Sequence, residues 1–212
     1  SSVGISAAGT VLAVGEPTGN LVRIFDKDGS QWVQRGQNLE GPADSKFGER
    51  VAMSRGNSSI ISTPTIPISF IIAVGFEIGV RIFDCQGLGC NQMGGDIVFE
   101  GADVPTFAIS RSGKIIAVSQ PRLHGVFVYE YRGDNKAWEH AWLIPLPGWG
   151  DHPGLYLSLS GPGNLLAIGT RDYDQERLSV QVYSRGVYSN GQKHGEKVWS
   201  DGHDMYGRSY WR

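Results

Sequence analysis

The stretch Val11-Leu12-Ala13-Val14-Gly15 decides the fold, because it returns three times. It stands again as Ile71-Ile72-Ala73-Val74-Gly75, as Ile115-Ile116-Ala117-Val118-Ser119 and as Leu165-Leu166-Ala167-Ile168-Gly169. Each copy keeps the same neighbours. A strand-like run ending in serine precedes it (Ser6, Ser54, Ser110, Ser160), and a run ending in an aromatic follows (Phe25, Phe83, Tyr129, Tyr183). Between serine and apolar run lie Ala7-Ala8-Gly9-Thr10, Arg111-Ser112-Gly113-Lys114 and Gly161-Pro162-Gly163-Asn164, which read as glycine-bearing hairpin turns. The four alanines Ala13, Ala73, Ala117 and Ala167 are spaced at 60, 44 and 50 residues.

A period near 50 with about four short strands per unit predicts an all-β chain, a β-propeller of about four four-stranded antiparallel blades. No segment has the 3.6-residue period of a helical repeat. The second strand of each unit is apolar throughout, so it is expected to be covered on both faces by neighbouring blades. The recurring alanine lets adjacent sheets approach closely. The third strand carries Arg23 and Arg81 between apolar neighbours and is expected to reach water on one side. Trp32 and Trp138 begin a weaker fourth strand. The chain reads as a single propeller domain or fragment, with repeats at 1–41, 46–101, 105–148 and 154–205. Residues 206–212 form a further first strand, since Tyr206-Gly207 repeats Phe47-Gly48. The repeats either close a four-bladed ring or are a slice of a larger propeller. Residue 1 is Ser rather than Met, which suggests a processed chain or a fragment.

Composition narrows the function classes. The chain has 212 residues, 19 Lys+Arg against 21 Asp+Glu, 30 Gly and 2 Cys. A net charge of −2 leaves no broad basic surface for nucleic acid. Two cysteines are too few for a disulfide scaffold or a four-cysteine zinc site. No apolar run of 18 or more residues suggests a membrane-spanning helix.

The unit resembles FG-GAP-like propeller repeats. Phe47-Gly48 and Tyr206-Gly207 carry the FG element; Leu12–Gly15, Ile72–Gly75 and Leu166–Gly169 carry the LAVG element; Trp32-Val33-Gln34 carries W-x-Q. The third repeat has Thr106-Phe107 in place of FG, and the second lacks the tryptophan. The resemblance implies a fold and leaves function open, because propellers host binding and catalysis alike. It also raises calcium, since blades of that type often carry a D-x-D-x-D-G loop. Asp26 and Asp28, and Asp172 and Asp174 with Glu176 nearby, are the candidates. Neither loop supplies the six to eight oxygens that calcium takes, and Lys27 opposes a dication. The segment from Asp26 to Trp32 also loosely resembles the structural Asp-box hairpin.

Other residues invite a reading of their own. Arg132-Gly133-Asp134 is an adhesion tripeptide at a predicted hairpin tip, built from residues that are also ordinary turn formers. Cys85 and Cys90 flank a short hairpin loop, where they form either a disulfide or two buried thiols. Asn57 heads a glycosylation sequon. The five histidines form no spaced metal pair, and no nucleophile elbow is present.

The strongest irregularity is an insertion. Ser6 to Val11, Ser110 to Ile115 and Ser160 to Leu165 each span 5 positions, whereas Ser54 to Ile71 spans 17. The added residues are apolar and proline-stiffened, with Ile60, Ile61, Ile66, Ile68 and Phe70 as candidate partner-binding residues. Exposed apolar surface commonly marks an interaction site. The expectation is a non-enzymatic interaction module without a cofactor. It would be an extracellular or lumenal repeat protein, or an accessory subunit, that binds a protein partner, a larger assembly, further blades or a second copy. A hydrolytic, carbohydrate-active propeller and a calcium-dependent adhesion module are the alternatives.

Overall fold

A computed structural model describes residues 1–54, 69–99, 104–120, 125–146, 156–172, 177–185, 188–189, 192–193 and 195–204. Four antiparallel sheets follow one another along the chain. The first comprises Ser2–Ile5, Val11–Glu16, Leu21–Asp28 and Gln31–Gln34 in that order, with Leu39–Glu40 added to its third strand. The second comprises Arg50–Met53, Ser69–Phe76 and Gly79–Gln86, with Gly89–Gln92 and Ile97–Val98 both pairing with the third strand. The third runs Thr106–Ile109, Ile115–Gln120, Gly125–Arg132, Ala137–Pro145. The fourth runs Tyr156–Leu159, Leu165–Asp172, Arg177–Ser184, Glu196–Asp204. No α-helix occurs among the described residues.

The repeated serine has a physical task. Its main chain closes the first hairpin, and its hydroxyl accepts the N–H of the first apolar residue of the repeated V/I/L-x-A run on the second strand. The distances are 3.0 Å for Ser6–Val11, 2.8 Å for Ser54–Ile71, 3.2 Å for Ser110–Ile115 and 3.0 Å for Ser160–Leu165. The turn glycines Gly9, Gly113 and Gly163 sit at φ +67°, +72° and +79°, the left-handed region that other residues avoid.

By contact, the chain divides into two units. One is Ser1–Pro105 with Arg111–Lys114 and Tyr131–Trp138, and the other is Thr106–Ser110, Ile115–Glu130 and Glu139–Arg212. In the first unit the first sheet turns one face, here called leading, towards the second sheet. Val11, Ala13, Val22 and Ile24 on that face pack with Phe70, Ile72, Val74 and Phe83 on the trailing face of the second sheet. In the second unit, Ala117, Val126 and Val128 lead from the third sheet onto Leu166, Ile168 and Tyr183 of the fourth. The recurring alanine lies on the leading face, and Ala13 and Ala117 are wholly buried there. Phe47-Gly48 is the wedge between the first two sheets. Phe47 is wholly buried beside Phe76 and Phe83, and the Gly48 carbonyl lies over Gly15, where a Cβ would meet it.

Two expectations are corrected here. The second strand is not covered on both faces in every sheet: Val11–Glu16 alternates between buried and half-buried, because among the described residues of the first unit only its leading face meets a partner sheet. Arg81 reaches water only in part, with 19% of its side chain exposed. It lies over the rings of Phe47 and Phe76 and forks onto Asp96 at 2.8 and 2.7 Å.

Candidate functional site

The first unit gathers at one end the hairpins joining first to second and third to fourth strands. The insertion opens here. Its neck is Ser54 and Ile71, which exchange two hydrogen bonds: Ser54 N–H donates to the Ile71 carbonyl and Ile71 N–H to the Ser54 hydroxyl, both at 2.8 Å. Beside the neck, Cys85 and Cys90 stand directly opposite each other on paired strands and are joined by a disulfide of 2.05 Å. The loop they close carries Leu88, which is 74% exposed.

Below this rim lies a charged pair. Arg35 is buried, its guanidinium sits over the Phe70 ring, and its Nε donates to Asp26 Oδ2 at 2.7 Å. This pair and the Arg81–Asp96 fork occupy related places, just beside an interruption in the fourth strand. Each interruption contains a left-handed glycine, Gly36 at φ +61° or Gly94 at φ +76°. Gly36 lies against the Leu88 carbonyl, and Gly94 against the Trp138 ring and the Lys136 carbonyl. The Trp138 indole also donates to the Met93 carbonyl at 2.7 Å. Each glycine thus receives the next hairpin in the series. The glutamine of W-x-Q staples the interruption: Gln34 Nε2 donates to Asn38 Oδ1 at 3.0 Å, and Gln92 Nε2 to Asp96 Oδ1 at 2.9 Å. Sequence reading missed the role of Gln92, although its spacing four residues before an Asn or Asp is common to both repeats.

The residues singled out from sequence fall as follows. Phe70 is corrected: it is 2% exposed in the core, beneath Arg35, and does not belong to an exposed ledge. Ile60, Ile61, Ile66 and Ile68, together with the sequon Asn57, lie outside the described residues, as does Asp174. Asp172 ends a strand of the fourth sheet. Asp26 and Asp28 do not suit calcium, because the Asp26 carboxylate already holds the Arg35 guanidinium. A dication there would have to displace that cation. Arg132, Gly133 and Asp134 are exposed at the tip of their hairpin.

His140 lies in the second unit, on the strand Ala137–Pro145. It packs against the rings of Phe127 and Tyr129 at 5.7 and 5.8 Å. Although His140 is exposed on its strand, the desolvation imposed by its packing still holds its pKa below the ordinary 6.5, against a smaller upward pull from a backbone hydrogen bond at Trp142. Tyr129 and Tyr183 are pushed upward by burial alone.

No protein-family model matches the chain, and no curated protein matches it in sequence. Solved structures match its backbone. A "putative 6-phosphogluconolactonase" from Bacteroides uniformis aligns with a TM-score of 0.63 at 15% identity, over 95% of this chain and 57% of its own. The β-propeller domain of Myceliophteria thermophila Cps50 (Swd1) aligns at 0.55 and 11% identity, over 93% of this chain and 58% of its own. The fold is a β-propeller. Chaetomium thermophilum Sqt1, solved bound to the N-terminus of ribosomal protein L10, aligns at 0.56 and 13% identity, over 98% and 51%. The propeller chain therefore spans little more than half the length of these structures.

The first neighbour corrects the expectation of a non-enzymatic chain. A propeller backbone of this kind is also found under a lactonase name, and enzymes on this fold collect their groups from separate blades, where no contiguous motif records them. At 15% identity the likeness carries the fold and no catalytic residue. The FG-GAP assignment remains a resemblance of short motifs.

Proposed function

We propose that this propeller binds a protein partner through the end of the first unit that carries the insertion, with Ile60, Ile61, Ile66 and Ile68 as its apolar contacts. The observation that carries the reading is the neck. An apolar insertion held between Ser54 and Ile71, beside a disulfide-closed hairpin with an exposed Leu88, starts from a rigid base. Rigid support lowers the ordering cost of binding, and burial of apolar side chains against a partner supplies the driving force. The disulfide and the Asn57 sequon support an oxidising compartment, secreted or lumenal. Propeller neighbours seen with a protein partner, such as Sqt1 with L10, support the class of ligand.

The test is deletion of residues 57–67 together with Leu88→Asp, read by cross-linking and mass spectrometry in the native extract. The expected result is loss of one set of cross-linked partners with an unchanged melting temperature. Partner cross-links that persist through both changes overturn the reading.

A further inference from the structure

The hairpin between third and fourth strands is not the same in every sheet. In the first sheet it turns through Gly29 and Ser30 alone, and in the second through Gly87 and Leu88 alone. In the third it turns through residues 133–136, between Gly125–Arg132 and Ala137–Pro145. The longer turn carries its tip outward: Arg132, Gly133, Asp134, Asn135 and Lys136 are all exposed. Gly133 has nothing within 4 Å of its Cβ position, so the tip is open to an approaching surface.

The base of this hairpin, by contrast, is fixed, and every group that fixes it belongs to the first unit. Tyr131 N–H donates to the Lys114 carbonyl at 2.9 Å. The Tyr131 and Trp138 rings stand 5.4 Å apart, and the Trp138 indole donates to the Met93 carbonyl at 2.7 Å. Within the turn, Asn135 Oδ1 accepts the Ala137 N–H at 3.1 Å, and Lys136 at φ +53° brings the chain back. Such a bond from side chain to nearby backbone is an Asx turn, which shapes a loop locally. A tip shaped in advance has less conformational freedom to lose on binding.

The chemistry of the tip is a guanidinium and a carboxylate set one glycine apart. Its surroundings are mixed: Arg111 and Lys114 are exposed on the neighbouring hairpin, and Lys136 and Glu139 on this one. Asp134 therefore lies in a mostly cationic neighbourhood. A free dication would be repelled there, and no group of three metal-ligating side chains occurs among the described residues. What suits Asp134 is a dication already held by another protein's ligands, with one position open for a carboxylate oxygen. What suits Arg132 is a carboxylate, onto which a guanidinium forks.

We propose that this tip docks an adhesion receptor whose site places an open divalent cation beside a carboxylate. Asp134 completes the coordination of that cation, and Arg132 pairs with the receptor's carboxylate. The glycine between them lets the receptor surface come close to the main chain. The proposal uses no residue of the insertion, so it stands or falls apart from the partner reading above.

Wells coated with the full-length chain are tested for attachment of suspended fibroblasts, whose receptors are the probe, in magnesium and in EDTA. The parent is expected to hold cells in magnesium and to release them in EDTA, or in an excess of a soluble peptide of the same three residues. Asp134→Glu keeps the charge but moves the carboxylate outward by one methylene, and Arg132→Ala removes the guanidinium. Each is expected to cut attachment about tenfold or more at an unchanged melting temperature. Lys136→Asn, and deletion of residues 57–67, are expected to hold cells like the parent. A parent chain that holds no cells overturns the proposal. So does attachment that survives EDTA or Asp134→Glu, or that falls equally with Lys136→Asn, since charge alone would then account for it.

Discussion

Ser54 and Ile71 are hydrogen-bonded to each other although 17 positions separate them, as closely as Ser6 and Val11 are across 5. The serine clamp is therefore indifferent to what is inserted above it. Ser54 is 3% exposed, so Ser54→Ala leaves the part-buried Ile71 N–H without its hydroxyl acceptor. The expected cost is about 2 kcal/mol in urea denaturation. Ser160, at the more exposed equivalent clamp, is expected to lose less than about 1 kcal/mol on the same change, since water replaces the hydroxyl.

Glycines at matched turns are expected to differ in their tolerance. Gly9 has a positive φ and open space, so Gly9→Ala pays only the left-handed backbone, about 1 kcal/mol. At Gly36 a Cβ would also strike the Leu88 carbonyl, so Gly36→Ala is expected to cost about 3 kcal/mol or more. Equal melting temperatures for the two variants would contradict this contrast.

Removing Asp96 strands a largely buried guanidinium between two aromatic rings. Hydrogen bonding to Asp96 raises the Arg81 pKa, and without Asp96 the guanidinium still keeps its charge, because arginine does not deprotonate in the working pH range. Asp96→Ala is expected to destabilise by about 3 kcal/mol, and the double change with Arg81→Met to recover much of that loss. Chemical denaturation of the set decides it.

Acid is expected to weaken the second unit through His140. A folded-state pKa below the ordinary one means that the unfolded chain takes up the proton more readily. The contribution is full above pH 6.5 and is lost as the pH falls through the folded pKa. An NMR titration should place the His140 midpoint below that of an ordinary imidazole. His140→Gln should flatten the fall in melting temperature on the acid side.

The disulfide closes a very short loop, so its contribution is expected at the low end of the range, about 2 kcal/mol. Cys85→Ala/Cys90→Ala measures it, and a reducing agent should lower the melting temperature of the parent but not of the variant.

The serines, the alanine and the turn glycines made four sheets legible from sequence, because each does its work within one or two strands. Phe70 and Arg81 were misread for the opposite reason. Phe70 follows the insertion in sequence, yet its side chain belongs to the core under Arg35; Arg81 breaks an apolar strand, yet Asp96 and two phenylalanine rings accommodate it. Both depend on residues from other strands. Asp26 suggested a cation ligand until its partner Arg35, nine positions away, came into view. The four isoleucines of the insertion are legible as apolar, but what they meet is not written in their own spacing.

The seats of Gly36 on Leu88 and of Gly94 on Trp138 and Lys136 bear on how such a chain can grow. Each seat joins the end of one repeat to a hairpin of the next, so the heritable module runs from seat to seat. A duplication or recombination whose breakpoints preserve that joint would bring its own fit. One that cuts through it would leave a glycine without its neighbour and a hairpin without its support.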